Sequence, residues 1–591
     1  MLSVGRRSAV CCAKGGKCVS VSPRAWHRGI REWTGSAPLE EVVRTRRQQA
    51  QRTLLVEVAG ASSAAELCRV CGQHGRVQAM FHYTLPPRGH VRPKEMILIE
   101  YSEVTEAEEA LRYASHASSK DHPPSYSPMV WLSAGRGATT PKNPYPTPPV
   151  TLTPAVTQEE VLQRLSQCSS VSDQIQTLHD AQKLTELGWR LRFFTCRQVE
   201  SALSGLFPRA VVFPFGSSVN SFGHRDSDLD MTLELAGDGT TQDASGRLVF
   251  QGKHSSTSAN PRLTLQRRME VIAELIDHFL PGCSQVQRIL NARVPIIKYR
   301  QELTAIDCDL TMSNRSGYHM SRMLHLYGSS DSRVVPLVGA VRRWARCRGI
   351  TSPHAGRWLT NFSLTMMVMT YLMNTSPPVL LPLTALHVMP GVDEETGEPV
   401  FQVPPESATT ATTTASRNTD SLESLLRGFF EFFDKFNFRE RGMSIVTGKD
   451  FVKPVHCALY IQNPLDRDLN VSRNVTLEEV ERLKTEVTHA RFLMEAEAQD
   501  SDGTNSGTET LWGAQRLWWR SSSVTQRHID TVIDWRAVFH PAENPGRPKK
   551  VEVVGENSKG KELPSLVSKL KQKAQQRKNH SPRYTRKGKI L

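Results

Sequence analysis

No stretch of this 591-residue chain is apolar for long enough to cross a bilayer. The best candidate, Phe362 to Met373, has 12 residues against the roughly 20 required. It reads as a buried helix, and no membrane span is expected. Acidic residues are missing from both ends. None precedes Glu32, whereas Arg6, Arg7, Lys14, Lys17, Arg24, Arg28 and Arg31 do, and none follows Glu562. An Arg-rich, acid-free start without a long apolar core matches a mitochondrial targeting segment better than a secretory signal, and that segment is expected over residues 1–45. The far end, 540–591, reads as a basic disordered tail. A disulfide framework is missing too. The eleven cysteines are odd in number and scattered, and the one C-x-x-C, Cys68 and Cys71, has no second pair at zinc-finger spacing. They are read as buried or idle thiols in a reducing compartment.

What is present is ordinary globular material with a positive excess. Apolar residues make up 39% and charged ones 23%, enough for two to four domains with at least one sizeable core. The net charge of +15 suits an anionic partner, nucleic acid before a membrane surface.

Residues 50–120 alternate in a readable order. Leu54 to Val58 is a strand pattern, Ser62 to Cys71 helical, Val77 to Tyr83 and Met96 to Tyr101 strands, and Thr105 to Ala114 helical. That β-α-β-β-α order resembles an RNA-recognition, ferredoxin-like domain. Such domains stack bases on aromatics of their central strands. Here the first strand has none and the other offers Met96, Ile97, Leu98 and Ile99. An apolar sheet face suits protein contacts better, so self-association into a homodimer is expected of this domain. Residues 121–156, rich in Ser and Pro, read as a linker. Thr157 to Glu160 is a capping box opening a helical region. Ser/Thr/Gly-rich interruptions near 236–260 and 404–420 read as surface insertions.

The chemistry concentrates in Phe213-Pro-Phe-Gly-Ser-Ser218 and Asp226-Ser-Asp-Leu-Asp-Met231. A strand ends at Phe215 and the chain turns through Gly216 and Ser217. Backbone N–H groups at such a turn can hold phosphate oxygens, with the Ser217 hydroxyl as an added donor. Residues two apart on a strand share a face, so Asp228 and Asp230 set two carboxylates side by side, with Asp226 at the same parity. Acids this close repel, and a cation between them is the simplest remedy. Hard oxygen ligands select Mg²⁺ or Mn²⁺. A third acid is expected from a neighbouring strand, where Asp307 and Asp309 are of equal parity.

Gly-Ser, Asp-Leu-Asp-Met and Asp-Leu-Thr together resemble the DNA polymerase β-like nucleotidyltransferases, specifically the non-nuclear-type poly(A) and poly(U) polymerases, and the likeness runs from about 157 to 480. It implies an α+β fold: a nucleotidyltransferase palm over 195–313, and a mostly helical central domain over 157–194 and 314–535. It selects Asp309 as the third acid, binding the catalytic metal and accepting the primer 3′-hydroxyl proton. On the helix Ser332 to Arg348, Val334, Leu337, Val338, Val341, Trp344 and Ala345 form the core stripe. Arg342 and Arg346 stand four apart on the other face, where the family has lysines that contact the triphosphate. Phe362 matches an aromatic that stacks on the base. Leu459 to Arg473 resembles the nucleotide recognition motif, with Asn463-Pro464 where the family has Asp-Pro. Before Asn470-Val471, where uridylyl-adding relatives carry a His, this chain has Leu469, which points to ATP as substrate. The resemblance implies AMP addition to RNA 3′ ends of mitochondrial transcripts, in the mitochondrial matrix, by a two-metal reaction. The alternatives are terminal uridylyl transfer, a catalytically silent RNA-binding scaffold, and small-molecule nucleotidyl transfer.

Overall fold

The computed structural model describes residues 37–87, 93–113, 129–131, 145–146, 148–152, 156–235, 260–352, 356–386, 388–392, 399–402, 418–496 and 511–519. Residues 1–36 of the targeting segment, most of both Ser/Thr/Gly-rich interruptions and the basic tail lie outside these residues.

The first described helix, α1 (Leu39–Gln51), carries Leu39, Val43 and Ala50 on one side, and all three are buried with Phe193 and Val219. Its polar side is bound as well: Arg46 pairs with Glu186, and Arg47 with Glu200 at 2.9 Å. Residues 39–45, assigned from sequence to the targeting segment, are therefore part of the folded body. The basic, acid-free composition that suggested the segment stops at Glu32, and the apolar spacing of a packed helix takes over.

Next come β1 (Thr53–Val58), α2 (Ala64–Cys71), β2 (Val77–Leu85), β3 (Lys94–Tyr101) and α3 (Val104–Tyr113). Two short strands, β4 (Met129–Trp131) and β5 (Val150–Leu152), complete a sheet of order β4-β1-β3-β2-β5. Parts of the stretch read as a linker are thus edge strands. Each runs parallel to its neighbour, β4 to β1 and β5 to β2. A ferredoxin-like βαββαβ unit instead has its last strand antiparallel to the first.

One face of this sheet, with Leu54, Val56, Met80, Ile97, Ile99 and Tyr101, packs with Ala64, Leu67, Cys68, Ala107 and Ala110 of the two helices. Cys68 and Cys71 are buried free thiols, and burial pushes the Cys71 thiol up to about 11. The other face, with Leu55, Phe81, Tyr83, Met96 and Leu98, packs against Leu187, Leu191, Leu303 and Ile306 of the same chain. Tyr83 donates its hydroxyl to the Leu303 carbonyl at 2.6 Å, and Arg190 lies 4.6 Å over the Phe81 ring. The apolar face is filled from within, so it is not the exposed surface on which self-association was argued from the sequence.

Three helices follow: α4 (Gln158–Ser166), opened by the Thr157/Glu160 capping box, α5 (Val171–Gln182) and α6 (Glu186–Leu203). The second sheet comprises β6 (Ala210–Phe215), β7 (Leu229–Leu235), β8 (Cys283–Ile289), β9 (Ile296–Gln301) and β10 (Ile306–Met312), with α7 (Pro261–Phe279) between β7 and β8. Its order is β6-β7-β10-β9-β8, and only the β7/β10 pair is parallel. Leu229, Met231 and Leu233 of β7 and Cys308 and Leu310 of β10 point into a core shared with α6 and α7.

The helical part is built from α8 (Arg315–Ser330), α9 (Val334–Cys347), α10 (Asn361–Met373), α11 (Leu422–Lys435), α12 (Leu477–Ala496) and the short α13 (Gln515–Trp518). The apolar stripe of α9 is wholly buried, and Trp344 meets Phe430 of α11 edge-on at 4.9 Å. All of α10 from Ser363 to Met373 is buried, so the longest apolar run is a core helix. Among the described residues no helix is long and apolar enough to cross a membrane. Residues 511–519 carried no readable motif, yet they close this core: Trp518 is 1% exposed and donates its indole N–H to the Ala340 carbonyl at 3.0 Å.

Truncating a buried Leu costs about 2–5 kcal/mol. Leu39→Ala should therefore lower the urea midpoint of the folded body by a stability loss in that range. An unchanged midpoint would return α1 to the status of a dispensable leader.

Candidate active site

Parallel pairing of β7 with β10 sets Asp230 directly opposite Asp309, and antiparallel pairing of β9 with β10 sets Lys298 opposite Asp309. Side chains in register on adjacent strands share a face. Leu229, Met231, Cys308 and Leu310 therefore take the core side, while Asp230, Asp309 and Lys298 take the other. Asp228 sits immediately before β7, at the same parity as Asp230. Lys298 Nζ contacts Asp309 Oδ2. Asp307, the rival candidate, is exposed and paired with Arg300 at 2.8 Å, so its charge is already met at the far end of the strand.

The electrostatics follow from this crowding. Burial first, and then the charges of Asp309 and Asp228, push the Asp230 carboxyl up to about 7. Desolvation and Asp309 raise Asp228 as well, and Lys298 opposes the shift. A cation is the general remedy for carboxylates held together, and the donors are hard oxygens suited to Mg²⁺ or Mn²⁺. Among the described residues no three His, Cys, Asp or Glu side chains already surround one point. The acids form an open, one-sided set, which suits an ion that keeps several waters and shares its shell with phosphates. The residues fit such a group.

Above the acids, β6 ends at Phe215, opposite Asp230, and the chain turns through Gly216. Gly216 has φ +67°, and a Cβ there would lie 2.4 Å from Asp230 Oδ2. Only glycine fits, because the turn and the acid occupy adjoining space. The expectation that the N–H groups of the turn point outward together holds only in part. The Gly216 N–H donates inward to Ser321 Oγ of α8 at 2.7 Å, whereas Ser217 makes no side-chain hydrogen bond among the described residues. Ser218 is buried beneath the turn. Its hydroxyl lies 3.2 Å from Arg192 Nε and donates to the Asp228 carbonyl at 3.2 Å.

The remaining candidates lie on the helical side. Arg346 is exposed on α9, as a phosphate contact requires. Arg342 does not sit on a free helix face: its Nε and one terminal nitrogen donate to Thr365 Oγ1 of α10 at 3.1 and 2.6 Å, and the other donates to the Phe222 carbonyl at 2.9 Å. It ties α9 and α10 to the loop that follows the Gly-Ser turn. His224 in that loop is pushed down to about 4 by burial and then by Arg342, His179, Arg346 and Arg343, so it is neutral in a positively charged neighbourhood. Phe362 is half-buried at the start of α10, behind the Thr360 cap, which accepts the Ser363 N–H at 3.1 Å. In the 459–473 segment, Asn463 Oδ1 accepts the N–H groups of Leu465 and Asp466 at 2.9 and 3.0 Å. An amide serves that turn as a carboxylate would, which accounts for Asn at this place. Leu469 is half-buried, and its carbonyl accepts the Asn463 N–H at 2.9 Å.

Sequence reasoning missed Arg192, Lys298 and Ser321. The alternation Ile297-Lys298-Tyr299-Arg300 carried the signal for Lys298, since it puts both cations on the face of the acids. A lone arginine inside a helix and a serine on α8 carried none.

Three comparisons bear on this site. Residues 171–329 match the family model described as poly(A) RNA polymerase, mitochondrial-like, central palm domain. The chain is 38% identical over 488 residues to the mitochondrial poly(A) RNA polymerase of Drosophila melanogaster, covering 79% of this chain and 77% of that one. To the Mus musculus protein of the same name it is 32% identical over 515 residues, covering 83% and 82%. The crystal structure of mtPAP in complex with ATPγS superposes with a TM-score of 0.68 at 29% identity, covering 81% of this chain and 99% of that chain. Its complexes with UTP, GTP and CTP match with TM-scores of 0.68, 0.67 and 0.69.

The Asp230 shift makes stability depend on pH. In the unfolded chain this carboxyl ionises near 3.8, in the fold near 7. Raising the pH between those values ionises the unfolded state first and so weakens the fold. In cation-free protein, Asp230→Asn should stabilise above pH 7 by on the order of a few kcal/mol, and by nothing below pH 4. A variant equally stable relative to the parent at both ends would contradict the assignment.

Proposed function

Given that the chain belongs to the mitochondrial poly(A) RNA polymerases, template-independent RNA adenylyltransferases, we propose that it transfers AMP from ATP to RNA 3′ ends in the mitochondrial matrix. The observation that carries this reading is the in-register pairing of Asp230 with Asp309 beneath the Gly216 turn. It sets the acid-lined sheet face beside the Gly216 turn, which we read as the phosphate-binding turn.

Asp228, Asp230 and Asp309 hold the divalent cations, Mg²⁺ or Mn²⁺. When bound, these lower the pKa of the attacking hydroxyl and neutralise charge on the phosphates. Asp309 receives the 3′-hydroxyl proton. The 3′ oxygen forms its bond to the α-phosphorus of ATP, the α–β bond breaks, and pyrophosphate leaves. Ser217 and exposed Arg346 hold the departing phosphates, and Arg342 fixes the loop beside them. Phe362 stacks on the base and Leu469 packs along its edge. The RNA substrates are mitochondrial transcripts, and the net charge of +15 favours their phosphate backbone.

The silent-scaffold reading is disfavoured by the three acids themselves, since a non-catalytic fold has no use for carboxylates confronted on one sheet face. Leu469 supplies no donor or acceptor to a pyrimidine edge, so discrimination rests on shape and apolar contact. Such contact is worth roughly 1–3 kcal/mol, or about 10- to 200-fold for ATP over UTP. Crystals of the relative with each of four nucleotide types accord with a pocket of modest selectivity.

The direct test supplies the purified chain with each NTP separately, Mg²⁺ and an unstructured RNA primer. Extension should be strongest with ATP. Asp228→Ala should cut it by more than the about 10- to 100-fold typical of losing a metal ligand's hydrogen-bond partner, while the thermal transition stays intact. Near-normal extension in that variant would remove Asp228 from the reaction. In mixed-NTP competition Leu469→His should narrow the ATP:UTP ratio. Tails made chiefly of U by the unmodified chain would move the function to uridylyl transfer.

A further inference from the structure

We propose that Arg192 is a positioning residue for the catalytic acids: it locks the Gly-Ser turn to the loop that delivers Asp228. Arg192 lies in the first half of α6 and is 2% exposed. A guanidinium is costly to bury unless its N–H groups are met, and here they are met in a specific way. Its Nε donates to Ser218 Oγ at 3.2 Å, one terminal nitrogen donates to the Gly188 carbonyl at 3.3 Å, and the other donates to the carbonyls of Arg225, at 3.3 Å, and Ser227. Burial pushes it down only to about 10, so it stays charged at neutral pH.

The partners matter more than their number. Ser218 belongs to the turn, next to Ser217. Arg225 and Ser227 flank Asp226 and lead directly into Asp228. The Ser218 hydroxyl in turn donates a hydrogen bond to the Asp228 carbonyl. One planar group therefore reaches both segments at once, and a second hydrogen bond joins them directly. Neither segment is regular structure beyond the short turn, and ten residues separate Ser218 from Asp228, so sequence proximity does not hold them together. The loop between is fastened elsewhere: its Arg225 N–H donates to the Gln182 carbonyl at 3.0 Å. Lysine, with a compact ammonium in place of a planar fork, cannot span these acceptors.

The proposal rests on Asp228 being a cation ligand, the reading given above. The test is Mn²⁺ binding to the full chain in the presence of a non-hydrolysable ATP analogue, followed by electron paramagnetic resonance, beside a thermal unfolding curve. Parent, Asp228→Ala, Arg192→Lys and Ser218→Ala are compared. Losing the outer-shell support of a metal ligand typically costs about 10- to 100-fold in metal affinity, and Arg192 gives that support to Asp228 through Ser218 and Ser227. Arg192→Lys should weaken Mn²⁺ binding within that range. Ser218→Ala should weaken it in the same direction by less, with its unfolding transition retained. A residue that merely supports the fold would lower the transition temperature and leave the Mn²⁺ affinity of the folded fraction unchanged, which would overturn the proposal. Should Arg192→Lys not fold, Ser218→Ala decides: unchanged Mn²⁺ affinity there also overturns it. If Asp228→Ala binds Mn²⁺ like the parent, the ligand assignment itself is wrong, and that failure is read separately from the other two.

Discussion

The proposed reaction depends on holding like charges together on one face of a sheet. The β7/β10 pairing puts Asp230 and Asp309 side by side, and an apolar layer on the reverse face prevents either strand from turning over to relieve the repulsion. A one-residue slip would bury the acids and expose Leu229, Met231, Cys308 and Leu310. The core thus holds Asp230 where burial first, and then the charges of Asp309 and Asp228, raise its carboxyl. Lys298 offsets part of that rise from the next strand, and a divalent ion would offset more. Gly216 follows from the same constraint, since the turn lies so close to Asp230 that a methyl group has no room.

The outer elements keep this edge rigid. The N-terminal sheet lays one face on the palm instead of offering it to solvent, and Arg190, paired with the buried Glu100, fastens α6 beneath it. Helix α1 covers Phe193 and Val219, the latter two residues beyond Ser217. On the other side, residues 511–519 close the helical core through Trp518 and Gln174, whose side-chain carbonyl accepts the Ala514 N–H at 2.8 Å. A site that must hold repelling groups in place gains from support on elements rather than loops.

The acids were readable because strand parity is a strict code: two-residue spacing with intervening apolar residues leaves no other face for them. The strands within residues 53–113 were readable for the same reason, the α9 stripe from the helical period of about 3.6 residues, and the Thr157 capping box from its Thr/Glu spacing. What failed was knowledge of neighbours. The row Met96 to Ile99 reads identically whether a sheet face meets another chain or its own palm, and the difference lies in Leu187, Leu191 and Leu303, far away in sequence. Helix α1 was hidden by the basic composition before it. Edge strands three residues long, within Ser/Pro-rich sequence, fall below any periodic signal. Arg342 illustrates a further limit: helical spacing put it opposite the core stripe, but Thr365 and the Phe222 carbonyl, supplied by other segments, draw its guanidinium inward.

The central claim is that three carboxylates on one sheet face hold the ions on which the reaction depends. Anomalous diffraction from crystals of this chain grown with Mn²⁺ and a non-hydrolysable ATP analogue tests it most directly. The account predicts Mn²⁺ density within coordination distance of Asp228, Asp230 and Asp309, with Lys298 withdrawn from Asp309. Density elsewhere, with the Lys298–Asp309 pair intact beside bound nucleotide, would contradict it.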